Sequence, residues 1–288
     1  MNLQKTRRFL RENFIFYLAG IAVVLGIKYY YSHAECDSLL WILAPTTRWV
    51  ELLSGIPFTY VSGTGYVNHS LRLLIAPSCS GVRFMIITIA MLVFSFVHIV
   101  ASPKDAALPR KAAGSVLRVG KGTGWIVVCV VFSWLFTILV NGLRIIVAIY
   151  LPLYLDRAGL IRGMLTSDRL HTMIGVVVYF TALLMLYHLV NYVVQRKINL
   201  TGYFQKSKAD RIIDNSAAPR EQFLKTLIGK CMPPVFWYFL MTVGLPFINR
   251  AYLKEGTKFK EFVILIICCT VLILLPYCMI LTYQSKKK

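Results

Sequence analysis

Six apolar runs, each long enough to cross a bilayer, alternate along this chain with polar and mostly basic gaps. The first is Asn13–Tyr31 and the second Val82–Val100. The third, Thr123–Val140, keeps its apolar character past Asn141-Gly-Leu-Arg144 as far as Leu155. The fourth opens at His171 and ends near Val194, and Met232–Asn249 and Phe262–Tyr283 complete the set. Between the first two lies Leu39–Leu53, apolar but interrupted by Pro45, Arg48 and Glu51. It is too short and too broken for a span and predicts an interfacial or re-entrant helix. Residues 54–70, rich in Gly, Thr, Tyr and Val, predict a small extended or hairpin-like excursion. Its glycines Gly63 and Gly65 have no strand-then-helix context for nucleotide binding and read as turn glycines. The pattern as a whole predicts an all-α polytopic membrane protein with about six transmembrane helices plus the one interfacial or re-entrant helix.

Composition agrees with this pattern. The chain is 57% hydrophobic and only 15% charged, where soluble domains run nearer a quarter charged. Its formal net charge of +20 raises the question of nucleic acid. The basic residues, however, gather in the gaps between apolar runs, as the positive-inside rule requires, and no nucleic-acid partner is expected. The segments 1–12, 101–122 and 195–231 and the tail Ser285–Lys288 hold most of them. The rule therefore places both termini in the cytoplasm and residues 32–81 and 156–170 outside; the basic loop 250–261 is a local dissent. The first run lacks a small-residue cleavage site and reads as a retained span. The seven cysteines include no C-x-x-C pair, and Cys129, Cys268, Cys269 and Cys278 lie inside apolar runs, so no disulfide framework or thioredoxin-like motif is present. No H-E-x-x-H or Cys/His cluster at ligand spacing calls for a metal, and no cofactor is implied.

Three chemically reactive residue types reach the same face under this topology. Cys79 lies in Ala76-Pro-Ser-Cys-Ser-Gly81, a turn just ahead of the second span. A helix start offers unpaired N–H groups and a partial positive charge, which favour the nucleophilic thiolate form of a cysteine placed there. Arg83 adds a nearby cation. Read blandly, Cys79 is a buried structural cysteine at a helix end, or the partner of Cys36 in a disulfide. Arg144 interrupts an apolar stretch. At mid-membrane an arginine costs roughly 2.5–3.5 kcal/mol on insertion scales, so it ordinarily has a partner or a task, although near the interface it can snorkel. Asn141 is three residues earlier and shares its helical face. His171 opens the fourth span. His33 and His69 are alternatives on the same side, His98 lies at the opposite end of the second span, and His188 is about 25 Å further along the fourth helix.

Taken together, Ala-Pro-Ser-Cys-Ser-Gly at 76–81, Asn-Gly-Leu-Arg-Ile at 141–145 and His171 resemble the exosortase/archaeosortase family, and the Gly/Tyr-rich stretch before the cysteine is similar to the smaller exosortase K variants. The resemblance covers roughly residues 57–195. It implies a membrane-embedded cysteine transpeptidase that cleaves C-terminal sorting signals of exported proteins at the outer face of the cytoplasmic membrane. By that resemblance Cys79 is the nucleophile, Arg144 the electrostatic stabiliser and His171 the proton carrier, with Ser80, Gly81 and Asn141 in support. Its expected partners are membrane lipid and exported proteins ending in a transmembrane helix and a basic tail. The chain then divides into an N-terminal span and interfacial helix (1–56), a catalytic membrane core (57–195), a basic cytoplasmic linker (196–231) and a two-span extension (232–288). The chain departs from the larger family members in having one sure span before the cysteine and two spans beyond the matched core. The competing expectation is a non-catalytic membrane scaffold or an anion-binding transporter, in which Arg144 pairs with a carboxylate or an anion and Cys79 is structural. No internal repeat is visible, which weakens the transporter form.

Overall fold

The computed structural model describes residues 3–101, 111–157, 167–203, 229, 231–254 and 256–286. The chain is an all-α polytopic membrane protein: among the described residues, six stretches are long and apolar enough to cross a bilayer. Most of the expected linker 196–231 and of the expected outer loop 156–170 lie outside the described residues, as do residues 102–110 of the expected inner loop 101–122; its residues 111–122 are helical and begin the long helix Lys111–Arg157. Two compact units divide at Ile174 and Gly175.

The first unit is built along one helix. Here α1 covers Leu3–His33, α2 Leu40–Ser54, α3 Val82–Val100 and α4 Lys111–Arg157. The 47 residues of α4 make a rod about 70 Å long, more than twice the hydrocarbon thickness of a bilayer. Its first half runs beside α1. Arg118 Nη2 donates to Asn13 Oδ1 at 3.1 Å, and the Phe16 ring packs where a Cβ on Gly122 would stand. Helix α3 runs antiparallel to both, with Trp125 Nε1 donating to Leu92 O at 3.4 Å and Phe84 meeting Phe136 at 5.9 Å between ring centroids. Tyr17 stacks on Phe94 at 5.9 Å.

The second half of α4 runs beside α2 instead. Trp49 packs on Gly142, where a Cβ would collide with the indole. Tyr150 Oη donates to Ser54 O at 3.3 Å. Where α1 gives way to α2, Tyr30, Trp41, Met85 and Trp134 line an apolar groove of about 410 Å³. The expected interfacial or re-entrant helix is therefore α2, fifteen residues long, stacked end-on beyond α1 along α4. It is not among the stretches fit to span. It ends at Gly55, whose φ of +70° and N–H bond to Glu51 O at 2.9 Å form a left-handed C-cap.

Between α2 and α3 the chain forms a three-stranded antiparallel sheet in the order β1-β2-β3: Thr59–Val61, Gly65–Asn68 and Leu73–Ile75. The register pairs Tyr60 with Tyr66 and Val67 with Leu74. The expected hairpin-like excursion is thus extended by a third strand that leads toward Cys79. Two carboxylates tie the sheet down. Glu51 Oε1 accepts the Phe58 N–H at 2.7 Å. Asp37 accepts the Tyr60 hydroxyl, the Ser62 hydroxyl at 2.6 Å and the Gly63 N–H at 2.9 Å.

These donors hold the Asp37 carboxyl down at about 2, the Gly63 N–H contributing most, then Ser62 and Tyr60. The bond to Asp37 pushes Tyr60 up to about 12. A carboxylate whose pKa is lower in the folded state stabilises that state above the unfolded value near 4, and loses its contribution as pH falls toward 2. A tyrosine whose pKa is raised contributes below about 10 and loses its contribution as pH climbs to 12. The hairpin tip is therefore expected to loosen between pH 4 and 2 and again above pH 10. Asp37→Asn removes the acid transition. Exchange of the Gly63 amide measures it, and a flat acid-side profile in the wild type would refute the latch.

The second unit holds the rest of α5 (Ser167–Tyr203), then α6 (Cys231–Ile248), the short α7 (Ala251–Lys254) and α8 (Gly256–Lys286). Phe180 meets Tyr238 at 5.2 Å, and His188 stacks on Tyr277 at 5.2 Å. Pro246 has no N–H to give, and the turn before it widens to a π-turn over Leu240–Gly244. The stretch 250–261, expected as a loop, is largely helical: α8 begins at Gly256, six residues before the expected span start at Phe262.

Candidate functional site

The cysteine turn is made by its own sequence. Pro77 begins a 3₁₀ turn over Pro77–Cys79, its fixed φ suiting the first helical position. The Cys79 N–H donates to Ala76 O at 2.8 Å and the Ser80 N–H to Pro77 O at 3.1 Å. Gly81 then reverses the chain with φ +77° and caps α3 without a side chain. Two demands make this position a glycine. A left-handed φ strains any other residue. A Cβ would also stand 2.9 Å from Asn141 Cγ and 3.0 Å from Thr137 Cγ2. The turn is thus pressed against α4 at the level of Asn141.

Asn141 holds it there. Its Nδ2 donates to the main-chain oxygen of Cys79 at 2.6 Å. Three residues later on the same helix, about 4.5 Å along the axis, Arg144 Nη2 lies 2.6 Å from His171 Nε2. One helix therefore fastens the cysteine turn with Asn141 and reaches the start of α5 with Arg144. Asn141 and Ser80 are fully buried, Arg144 is 9% exposed, Cys79 is half-buried and His171 is exposed. The structure brings Cys79, Asn141, Arg144 and His171 to one level of α4. Ser80 is fully buried beside them, and its Oγ has no hydrogen-bond partner among the described residues.

Arg144 lies within the apolar stretch Arg118–Leu155, one turn past the level at which Asn141 meets the cysteine turn and beside α2, whose Trp49 packs on Gly142. His69 sits exposed in the turn between β2 and β3. His33 contacts its own helix through Nδ1, 2.9 Å from Tyr29 O. Cys36 is buried, and neither it nor Cys79 is in a disulfide.

The Asn141 contact was within reach of the sequence only as a shared face with Arg144. Its bond to the Cys79 carbonyl depends on the close approach that Gly81 permits. Asn141→Ala is expected to leave that carbonyl without its donor, at a cost of about 1–3 kcal/mol for an unsatisfied buried group. Asn141→Asp is expected to be worse, because it sets a carboxylate against a carbonyl oxygen. Thermal stability of the purified protein in detergent measures both. Two variants as stable as the wild type would show that the turn is held by other contacts.

No family model, curated protein or solved structure matches the chain.

Proposed function

We propose that the protein is a cysteine transpeptidase or protease of the membrane, resembling the exosortases and archaeosortases. We place its site at the outer face of the cytoplasmic membrane and take the C-terminal sorting signals of exported proteins as its substrates. The observation that carries this reading is the common fastening on α4: Asn141 to the Cys79 turn, and Arg144 to His171. Three residue types with complementary chemistry, far apart in sequence, gather where the spans end. That level suits a substrate whose scissile peptide lies just outside its own transmembrane anchor.

The reaction is acyl transfer. The Cys79 thiolate adds to the peptide carbonyl, and the carbon–sulfur bond forms as the carbonyl oxygen gains negative charge. The Cys79 and Ser80 N–H groups are already committed within the turn. That leaves the Arg144 guanidinium and the first-turn N–H groups of α3 to stabilise the oxyanion. The carbon–nitrogen bond then breaks, and the anchor peptide leaves as an amine on taking a proton from solvent water. A second nucleophile, an amine or water, attacks the thioester, gives its proton to solvent and regenerates the thiolate.

A membrane-impermeant maleimide applied from the outside tests the reading. It should label Cys79 faster than a small model thiol at neutral pH, as expected of a cysteine that serves as a nucleophile. Labelling no faster than the model thiol would return Cys79 to a structural role, and with it the scaffold or transporter reading. Labelling only after reduction would favour a bridge to Cys36.

A further inference from the structure

We infer that His171 is a positioning residue for Arg144, its Nε2 serving as the acceptor that aims the guanidinium, and that it does not itself carry the reaction's proton. This rests on the proposed function above and assigns one of its residues a different task. A guanidinium has five N–H donors, no acceptor, and stays protonated. At 2.6 Å from Arg144 Nη2, His171 Nε2 must therefore be the acceptor, and the ring proton sits on Nδ1. In that state the ring has no spare lone pair with which to take up a proton. Losing the Nδ1 proton would leave an imidazolate. Gaining a second proton at Nε2 would set one cation's N–H against another and break the contact. While the contact stands, the ring neither accepts nor releases a proton.

What the contact does supply is direction. An arginine side chain loses up to about 2 kcal/mol of rotamer freedom when fixed, and a charged donor bond of this length opposes that loss. Arg144 projects from α4 next to the turn that Asn141 pins, and His171 stands on α5 at the other end of the fork. Fixing one Nη leaves the remaining N–H groups at a set angle to that turn, which is what stabilising an oxyanion requires.

The experiment compares His171→Gln with His171→Ala by the rate of anchor removal from exported proteins, across pH, with the Cys79→Ala chain alongside. A glutamine oxygen can accept from the guanidinium but cannot carry a proton at working pH. Positioning predicts that Gln stays within about 10-fold of wild type with the same pH profile, while Ala falls by about 10²-fold, the range for losing one oxyanion donor. Proton carriage predicts that Gln falls with Ala by about 10²–10⁴ and that both lose the same limb of the profile. Either that result or a fully active Ala variant overturns the inference. A second measurement covers a Gln chain that folds poorly: in an Arg144→Lys background, His171→Ala should cost little more, since the residue it orients is already gone. A full additional loss there overturns the inference as well. Failure of the cysteine reading itself appears separately, as processing by the Cys79→Ala chain.

Discussion

The Cys79→Ala chain is expected to insert and fold as the wild type does while removing no anchor from any exported protein. The interactions that build the turn explain why the two outcomes separate. The bonds at Cys79 run through its main chain: its N–H to Ala76 O at 2.8 Å, and its carbonyl oxygen to Asn141 Nδ2 at 2.6 Å. An alanine keeps both. The side chain itself is half-buried, so its loss leaves only a small void, and a shift in stability beyond about 1 kcal/mol is not expected. The chemistry has no substitute, because the thioester needs the sulfur. Cys79→Ser is expected to fail almost as fully, since a hydroxyl is a weak nucleophile without a base aimed at it. The measurement is the C-terminal sequence of membrane-anchored exported proteins in a host whose own copy is replaced by each variant. It is paired with trapping of a hydroxylamine-labile adduct on the enzyme. Retained apolar tails and no adduct are expected for both variants. Tails removed normally in the alanine variant would end the assignment of Cys79 as nucleophile.

The membrane helices were legible because the bilayer leaves few choices. A backbone in hydrocarbon must satisfy its own hydrogen bonds, so an apolar run of sufficient length becomes a helix. Leu39–Leu53 was legible as an exception for the same reason: Pro45, Arg48 and Glu51 break the apolar run, and Glu51 accepts the main-chain N–H of Phe58, the residue just ahead of the sheet. The third strand escaped notice because Leu73–Ile75 is only three residues long. So short a stretch carries no period, and its pairing is set by the Asn68 turn, where the Leu71 N–H meets Asn68 Oδ1 at 2.8 Å. The candidate site was legible as residue types and order. Its fastening was not, because that depends on two absent side chains. Gly81 lets the turn approach Asn141, and Gly142 lets Trp49 bring α2 against the same helix. A glycine in an apolar run reads as a mild helix weakener; its reason lies in a partner distant in sequence. The contact between Arg144 and His171 was likewise hidden, because it joins two helices at positions 27 residues apart in sequence.

Arg144→Lys is expected to lose about as much activity as Arg144→Ala, on the order of 10²–10³, the cost of removing one oxyanion donor. The charge is kept in the lysine variant, so any retained activity measures what charge alone contributes. Three features of the site argue that the contribution is small. Arg144 is only 9% exposed, so a strongly hydrated ammonium is poorly suited to its place. The guanidinium is planar and can hold His171 with one nitrogen while presenting the others. A lysine that bonded His171 would face the turn with no fixed second donor. Its reach also differs, and α4, a continuous helix at this point, does not shift to compensate. The lysine variant should still show the wild-type rate of Cys79 labelling to within a few-fold, because the turn, the α3 N-terminus and the positive charge all remain. Slow processing with fast labelling therefore locates the defect after thiolate formation, at the step where the carbonyl oxygen takes up charge. Full processing by the lysine variant would reduce Arg144 to a point charge. Slow labelling together with slow processing would move its role back to forming the nucleophile.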